Sequence, residues 1–173
     1  MLKTTANKIT VLRIFLIPVF LLLAYRDLMI PALSVYLIAC LSDMIDGYIA
    51  RHYNQITNFG KFMDPLADKM LVLAAMCIFI DKDQMPAWAV AIVLFREFAI
   101  SGLRLIAVEQ GRVIAAAKSG KLKTAVTMVC LGCLMVFPSP TMSWVCTFLI
   151  LLTTVYSGFE YFLKNRDVFQ DID

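Results

Sequence analysis

Six stretches of mostly apolar residues run through the chain, at about 10–25, 31–50, 62–80, 86–108, 122–138 and 142–163, with short polar segments between them. Each approaches the roughly 20 residues that a helix needs to cross a bilayer. The pattern predicts an all-α integral membrane protein of six transmembrane helices. The breaks have local causes. Pro31 and Pro86 suit first helical turns, Gly111 and Gly120 can end or interrupt helices, and Pro138-Ser139-Pro140 forces a turn. Pro18, inside the first stretch, predicts a kink.

Composition agrees. The 173 residues are 61% hydrophobic and 17% charged, against about 45–50% apolar and about 25% charged in an ordinary soluble domain. Six spans nearly exhaust the length, so residues 1–173 are expected to form a single membrane domain. Lys3, Lys8 and Arg13 precede an apolar stretch as in a signal peptide, but no small-x-small cleavage site follows Leu23-Ala24-Tyr25-Arg26. The first stretch is therefore read as a membrane helix. Five cysteines, an odd number, all lie in apolar runs and argue against a disulfide framework. Cys130-x-x-Cys133 lacks a second pair for a zinc site, and the cysteines read as small buried hydrophobes.

Charge adds an orientation. Lysine and arginine near helix ends accumulate on the cytoplasmic side. One side receives Lys3, Lys8, Arg51, Lys61, Arg112, Lys118, Lys121, Lys123, Lys164 and Arg166, the other only Arg26 and Lys82. Both termini are expected in the cytoplasm, with the chain multi-pass in the cell membrane. No basic tail suggests nucleic acid as a partner.

Against this background four carboxylates stand out: Asp43 and Asp46, and Asp64 and Asp68. One aspartate at the centre of a membrane helix costs roughly 2.5–3.5 kcal/mol on insertion scales, so four cost on the order of 10 kcal/mol without compensation. Spacings of three and four put each pair on one helix face. The short connection from Arg51 to Gly60 makes the two helices antiparallel neighbours, so the pairs can converge at the cytoplasmic face. Four ionised carboxylates need cations between them, and oxygen-only ligands favour hard divalent ions such as Mg²⁺, Mn²⁺ or Ca²⁺. A two-metal site suits phosphoryl chemistry. Gly47 and Ala50 are small enough to admit a bulky ligand, and Arg51 can pair with phosphate. Ion pairs to Arg51, Lys61 and Lys69 that merely hold helices together are the bland alternative, and a cation or proton transporter is the rival from another functional class.

Asp43-x-x-Asp46-Gly47-x-x-Ala50-Arg51, eight residues, then Gly60-x-x-x-Asp64-x-x-x-Asp68 resembles the complete signature of the CDP-alcohol phosphotransferases. The resemblance extends over nearly the whole chain, through Asn7-x-x-Thr10-x-x-Arg13, Phe59 to Lys69, Arg96-Glu97-Phe98, Ser101-Gly102-Leu103-Arg104 and Lys118-x-Gly120-Lys121-Leu122-Lys123-Thr124. It implies six membrane helices, a homodimer, and transfer of a phosphatidyl group from CDP-diacylglycerol to an alcohol with release of CMP. The whole-chain likeness points to glycerol 3-phosphate as acceptor, with inositol phosphate, serine or phosphatidylglycerol as alternatives. It also implies two divalent metal ions, Mg²⁺ or Mn²⁺, on Asp43, Asp46, Asp64 and Asp68. Asp68 would double as general base, and Asn7, Thr10, Asp46, Gly47, Ala50, Arg51 and Gly60 would hold the CDP moiety.

A dianionic acceptor phosphate needs cations beside the metals. Lys61, Arg104, Arg112, Lys118 and Lys121 are the candidates, with Lys123 in the same cytoplasmic cluster. For these the plainer account is positive-inside charge and attraction to anionic lipid. Glu97 and Arg104, seven apart on one helix face, suggest an internal ion pair. Asn7, Thr10 and Arg13 have capping and interfacial anchoring as their plainer role. Lys118-Ser119-Gly120-Lys121 does not form a P-loop, because a first glycine is missing and Leu122 stands where serine or threonine is required.

Overall fold

A computed structural model describes residues 5–52, 58–112, 114 and 117–169, of which 5–8, 43–52, 58–62, 64, 65, 68 and 169 are described by their backbone alone. Six α-helices follow one another: α1 Thr5–Tyr25, α2 Met29–His52, α3 Asn58–Asp81, α4 Ala87–Glu109, α5 Lys118–Val136 and α6 Pro140–Lys164, closed by a short 3-10 turn at Arg166–Phe169. They coincide with the six apolar stretches, and most run a few polar residues further at their ends.

The helix ends explain the alternation of direction. After α1, α3 and α4 the chain enters the left-handed region at Asp27 (φ 58°), Asp83 (φ 55°) and Gly111 (φ 73°). In each case the next residue's N–H reaches back five positions: Leu28 to Leu23, Gln84 to Phe79 and Arg112 to Ala107, at 3.0, 2.8 and 2.8 Å. These closures satisfy carbonyls that a helix terminus leaves unpaired. Pro31 lies in the first turn of α2 and Pro86 caps α4. At the α5–α6 turn the Ser139 hydroxyl accepts from the Met142 N–H at 3.2 Å, one residue before Pro140 opens α6. Gly120 does not break a helix; it sits in the first turn of α5.

α1 packs along α2 and α3, α5 along α6 and α2, and α4 mainly along α6. The main core joins Phe20, Tyr36, Leu71, Met76, Phe79, Leu131, Leu134 and Ile150. A second cluster at the opposite end from the α5–α6 turn joins Ile100, Leu103 and Ala107 of α4 to Tyr161 and Val168. The outer surface is apolar too, with Phe15, Phe95, Phe98, Phe148, Phe159 and Leu163 each more than 60% exposed. Such a surface would drive aggregation in water and fits a lipid surround. α5 and α6 are long and apolar enough to cross a membrane, and shorter apolar stretches run over Ile9–Tyr25 and Met29–Ser42. Tyr25, Trp88 and Trp144 are exposed at the end carrying the α1–α2, α3–α4 and α5–α6 turns, where an aromatic belt would meet the membrane interface. At that end Lys82 pairs with Asp27, joining two turns.

The five cysteines are free, as expected, but only Cys130 and Cys146 are buried; Cys77 is exposed on the outer surface, where lipid can cover an apolar thiol as well as protein can.

Two glycine substitutions separate backbone strain from packing. An added Cβ meets nothing within 4 Å at either Gly102 or Gly111. Gly111→Ala should still destabilise by about 1 kcal/mol, because alanine is strained at positive φ. Gly102→Ala, inside α4, should be neutral or stabilising by up to about 1 kcal/mol. Thermal unfolding in detergent reads both, and equal shifts would contradict the helix-end assignment.

Candidate active site

The four aspartates occupy neighbouring ends of consecutive helices: Asp43 and Asp46 fall in the last ten residues of α2, Asp64 and Asp68 in the first half of α3. Their side chains lie outside the described residues, as do those of Asn7, Gly47, Ala50, Arg51, Gly60 and Lys61. Among the described residues no three His, Cys, Asp or Glu side chains gather as a metal site. The aspartates are the candidate ligand set from the sequence, and an all-oxygen, four-carboxylate donor set on two packed helices suits hard divalent cations.

The described neighbours of that region are polar and buried. On α1, Thr10 is 1% exposed and Arg13 0% exposed. The Arg13 Nε donates to Ser42 Oγ at 3.4 Å, one residue before Asp43. Burial of this kind is not interfacial anchoring: a guanidinium held inside the bundle needs partners there, and it points α1 at the aspartate end of α2.

The residue after Asp68 leads into a cavity of about 230 Å³ where α3, α4, α5 and α6 converge. Four cations, Lys69, Arg96, Arg104 and Lys121, and one carboxylate, Glu97, line it, together with Ser101 and Tyr161. Helical spacing sets this wall, since Glu97, Ser101 and Arg104 recur at four and three residues along one face of α4. Lys69 Nζ donates to Ser101 Oγ at 2.7 Å and lies 3.7 Å from Glu97 Oε2. Glu97 Oε1 accepts from both Arg96 Nη1 and Lys123 Nζ at 2.8 Å. Arg96 Nη2 donates to Ser157 Oγ at 3.0 Å. Arg104 Nε donates to the Tyr161 hydroxyl at 2.9 Å, with the guanidinium carbon 5.5 Å from the ring centroid.

The expected Glu97–Arg104 ion pair is not formed. Seven residues share a face but stand about 10.5 Å apart along the axis, so Glu97 pairs with Arg96, Lys123 and Lys69, and Arg104 turns to Tyr161. Of the proposed acceptor-binding residues, Arg104 and Lys121 line the cavity. Lys118 is exposed at the start of α5. Arg112 lies outside the cavity and donates from Nη2 to Asp167 Oδ2 at 2.6 Å. That hydrogen bond holds the Asp167 carboxyl below its usual range, so the pair persists above the ordinary carboxylate pKa and is lost only as pH falls through the lowered one. Lys123, 7% exposed along its side chain, belongs to Glu97. Lys69, Arg96 and Tyr161 were not singled out as acceptor-binding residues in the sequence. Lys69 carried a signal, its place directly after Asp68; Tyr161 carried none.

Nearness of cations matters energetically. Two like charges 4 Å apart repel by about 4 kcal/mol at an effective dielectric of 20. A cavity with this lining attracts a small, multiply charged anion, and its guanidinium groups offer the forked donors that phosphate accepts.

Comparison with known proteins agrees with this chemistry. A family model described as CDP-alcohol phosphatidyltransferase matches residues 3–156. The chain is 41% identical to a Bacillus subtilis protein named CDP-diacylglycerol--glycerol-3-phosphate 3-phosphatidyltransferase, over 92% of this chain and 93% of that one. It is 36% identical to a Mycobacterium tuberculosis protein named probable phosphatidylglycerophosphate synthase, over 94% of this chain and 82% of the other. A Rickettsia typhi protein carrying the same name as the Bacillus one is 32% identical, over 97% of this chain and the whole of its own. The chain belongs to the CDP-alcohol phosphatidyltransferase family.

Proposed function

We propose that the protein transfers the phosphatidyl group of CDP-diacylglycerol to sn-glycerol 3-phosphate, giving phosphatidylglycerol phosphate and CMP. The observation that carries this reading is the cation-lined cavity beginning at the residue after Asp68. Family membership supplies the donor chemistry, and the cavity argues for an acceptor that brings its own phosphate. Serine offers no such group. The printed names of the relatives point to the same pair of substrates.

In this mechanism Asp68 takes the proton from the primary hydroxyl of the acceptor. The hydroxyl oxygen forms its bond to the phosphatidyl phosphorus as the phosphoanhydride bond to CMP breaks. Asp43, Asp46, Asp64 and Asp68 would hold two divalent ions, Mg²⁺ or Mn²⁺, which neutralise the diphosphate and the charge developing on the leaving CMP. Asn7, Thr10, Gly47, Ala50, Arg51 and Gly60 would seat the nucleotide, and Lys61, Arg104 and Lys121 the acceptor phosphate. Arg112 and Lys118 would act further out, drawing anions toward the membrane surface. Six membrane spans with both termini in the cytoplasm place this chemistry where a lipid and a water-soluble phosphate can meet. The basic residues concentrated at the aspartate end support that orientation. A homodimer is part of the same proposal by family likeness.

Asp68→Asn should release no CMP while folding as the wild type does; turnover near normal would refute the base assignment. Chelation of divalent metal should abolish CMP release, and re-addition of Mg²⁺ or Mn²⁺ should restore it; activity that persists in chelator would contradict the two-metal proposal. Topology has its own check in a background lacking the native cysteines. Lys82→Cys should react with an impermeant maleimide in intact cells, and Lys118→Cys only after lysis. The reverse pattern would invert the orientation.

A further inference from the structure

A carboxylate in the wall of a cavity built for an anion needs a reason. Glu97 lies midway along α4 and repels any phosphate that enters, yet it is the hub of the cluster. Its Oε1 takes both Arg96 and Lys123 at 2.8 Å, and its Oε2 faces Lys69 at 3.7 Å. The three are held unequally. The Lys123 side chain is 7% exposed, that of Arg96 13% and that of Lys69 36%. Lys123 is therefore a buried counter-ion. Lys69, farther from the carboxylate and fixed from its other side by the Ser101 hydroxyl, is the most open of the three to an incoming anion.

Arg96 is pinned from a second direction. Ser157 of α6 accepts from its Nη2, and Gly158 leaves room for its stem: a Cβ at position 158 would lie 3.3 Å from Arg96 Cγ. A Cβ at Gly120 of α5 would lie 3.7 Å from Nη2. The stem of Arg96 thus lies tight against Gly158, and its guanidinium is clamped by a hydroxyl and a carboxylate.

We infer that Glu97 is a positioning residue for the acceptor site, holding Arg96 and Lys69 in place in the cavity wall before the acceptor's phosphate arrives, with Gly158 and Ser157 as the opposing support. Without Glu97 the clustered cations repel one another and spread, and each must be gathered again when the anion binds. The inference rests on the proposed transfer to a phosphorylated acceptor. The two fail differently: a wild type that releases no CMP on addition of glycerol 3-phosphate sinks the function, whereas a wild type that turns over normally leaves Glu97 to be judged by its variants.

Steady-state CMP release, with each substrate varied in turn, supplies the test. Glu97→Gln keeps the shape and removes the charge; it should raise KM for glycerol 3-phosphate by about tenfold or more while kcat and KM for CDP-diacylglycerol change by less than about threefold. Glu97→Asp should recover part of the loss. Gly158→Ala alters no charge and presses on Arg96, so it should raise the same KM by a few-fold, about 2 to 5 times. An unchanged or lowered acceptor KM in Glu97→Gln would show that the carboxylate only repels the acceptor and would overturn the inference. So would a parallel loss for both substrates with a lowered unfolding temperature. If Glu97→Gln does not fold, Gly158→Ala decides, and an unchanged acceptor KM there overturns it.

Discussion

The internal pairing of charge inside an apolar bundle is the constraint on which this structure turns. α3 and α4 follow one another in the chain but touch little, and polar bonds join them: Lys69 of α3 to Ser101 and Glu97 of α4. Glu97 also takes Lys123 of α5, and its neighbour Arg96 takes Ser157 of α6. Four helices therefore meet on one carboxylate and the residue beside it. Breaking a buried pair by removing one partner is commonly costly, on the order of 3 to 5 kcal/mol, because the remaining charge is left uncompensated. In a lipid surround water offers little relief, so the cluster must be satisfied from within.

The same economy of charge shapes the chemistry. Two oppositely signed groups of residues adjoin along α3: the aspartates, ending at Asp68, and the cation-lined cavity, starting at Lys69. Carboxylates attract cations and the cavity attracts anions, so under the proposed function a metal-bound diphosphate and a phosphorylated alcohol would be sorted to neighbouring places by sign. In the same proposal the apolar outer surface would leave acyl chains in the bilayer, while the polar end of the bundle would face the phase that supplies the soluble substrate. Reactants of opposite solubility meet only at such a boundary.

Much of this was legible in the chain. Pro31, Pro86 and Pro138-Ser139-Pro140 marked helix starts and a turn because proline restricts the backbone wherever it stands. The aspartate pairs stand out through their cost, since spacing and apolar context are local properties, but their side chains lie outside the described residues. The left-handed closures at Asp27 and Asp83 were not anticipated, because aspartate reaches that conformation less often than glycine does. Gly120 is of a residue type that can end a helix, yet it sits in the first turn of α5 and faces Arg96 of another helix at ordinary contact distance. The Glu97 cluster was hidden for the same reason. Besides its neighbour Arg96, its partners Lys69 and Lys123 come from α3 and α5, and a one-dimensional periodicity that aligns Glu97 with Arg104 does not reveal cations across helix interfaces.

The central claim is that a lipid-linked CDP donor meets a phosphate-bearing alcohol at this site, and the most direct measurement is an acceptor panel on the purified protein. CDP-diacylglycerol and Mg²⁺ or Mn²⁺ would be supplied with glycerol 3-phosphate, glycerol, serine, inositol phosphate or phosphatidylglycerol, following CMP and identifying the lipid formed. The account predicts rapid CMP release and phosphatidylglycerol phosphate with glycerol 3-phosphate, and little release with serine or glycerol. Equal or faster turnover with an acceptor lacking a phosphate would contradict it.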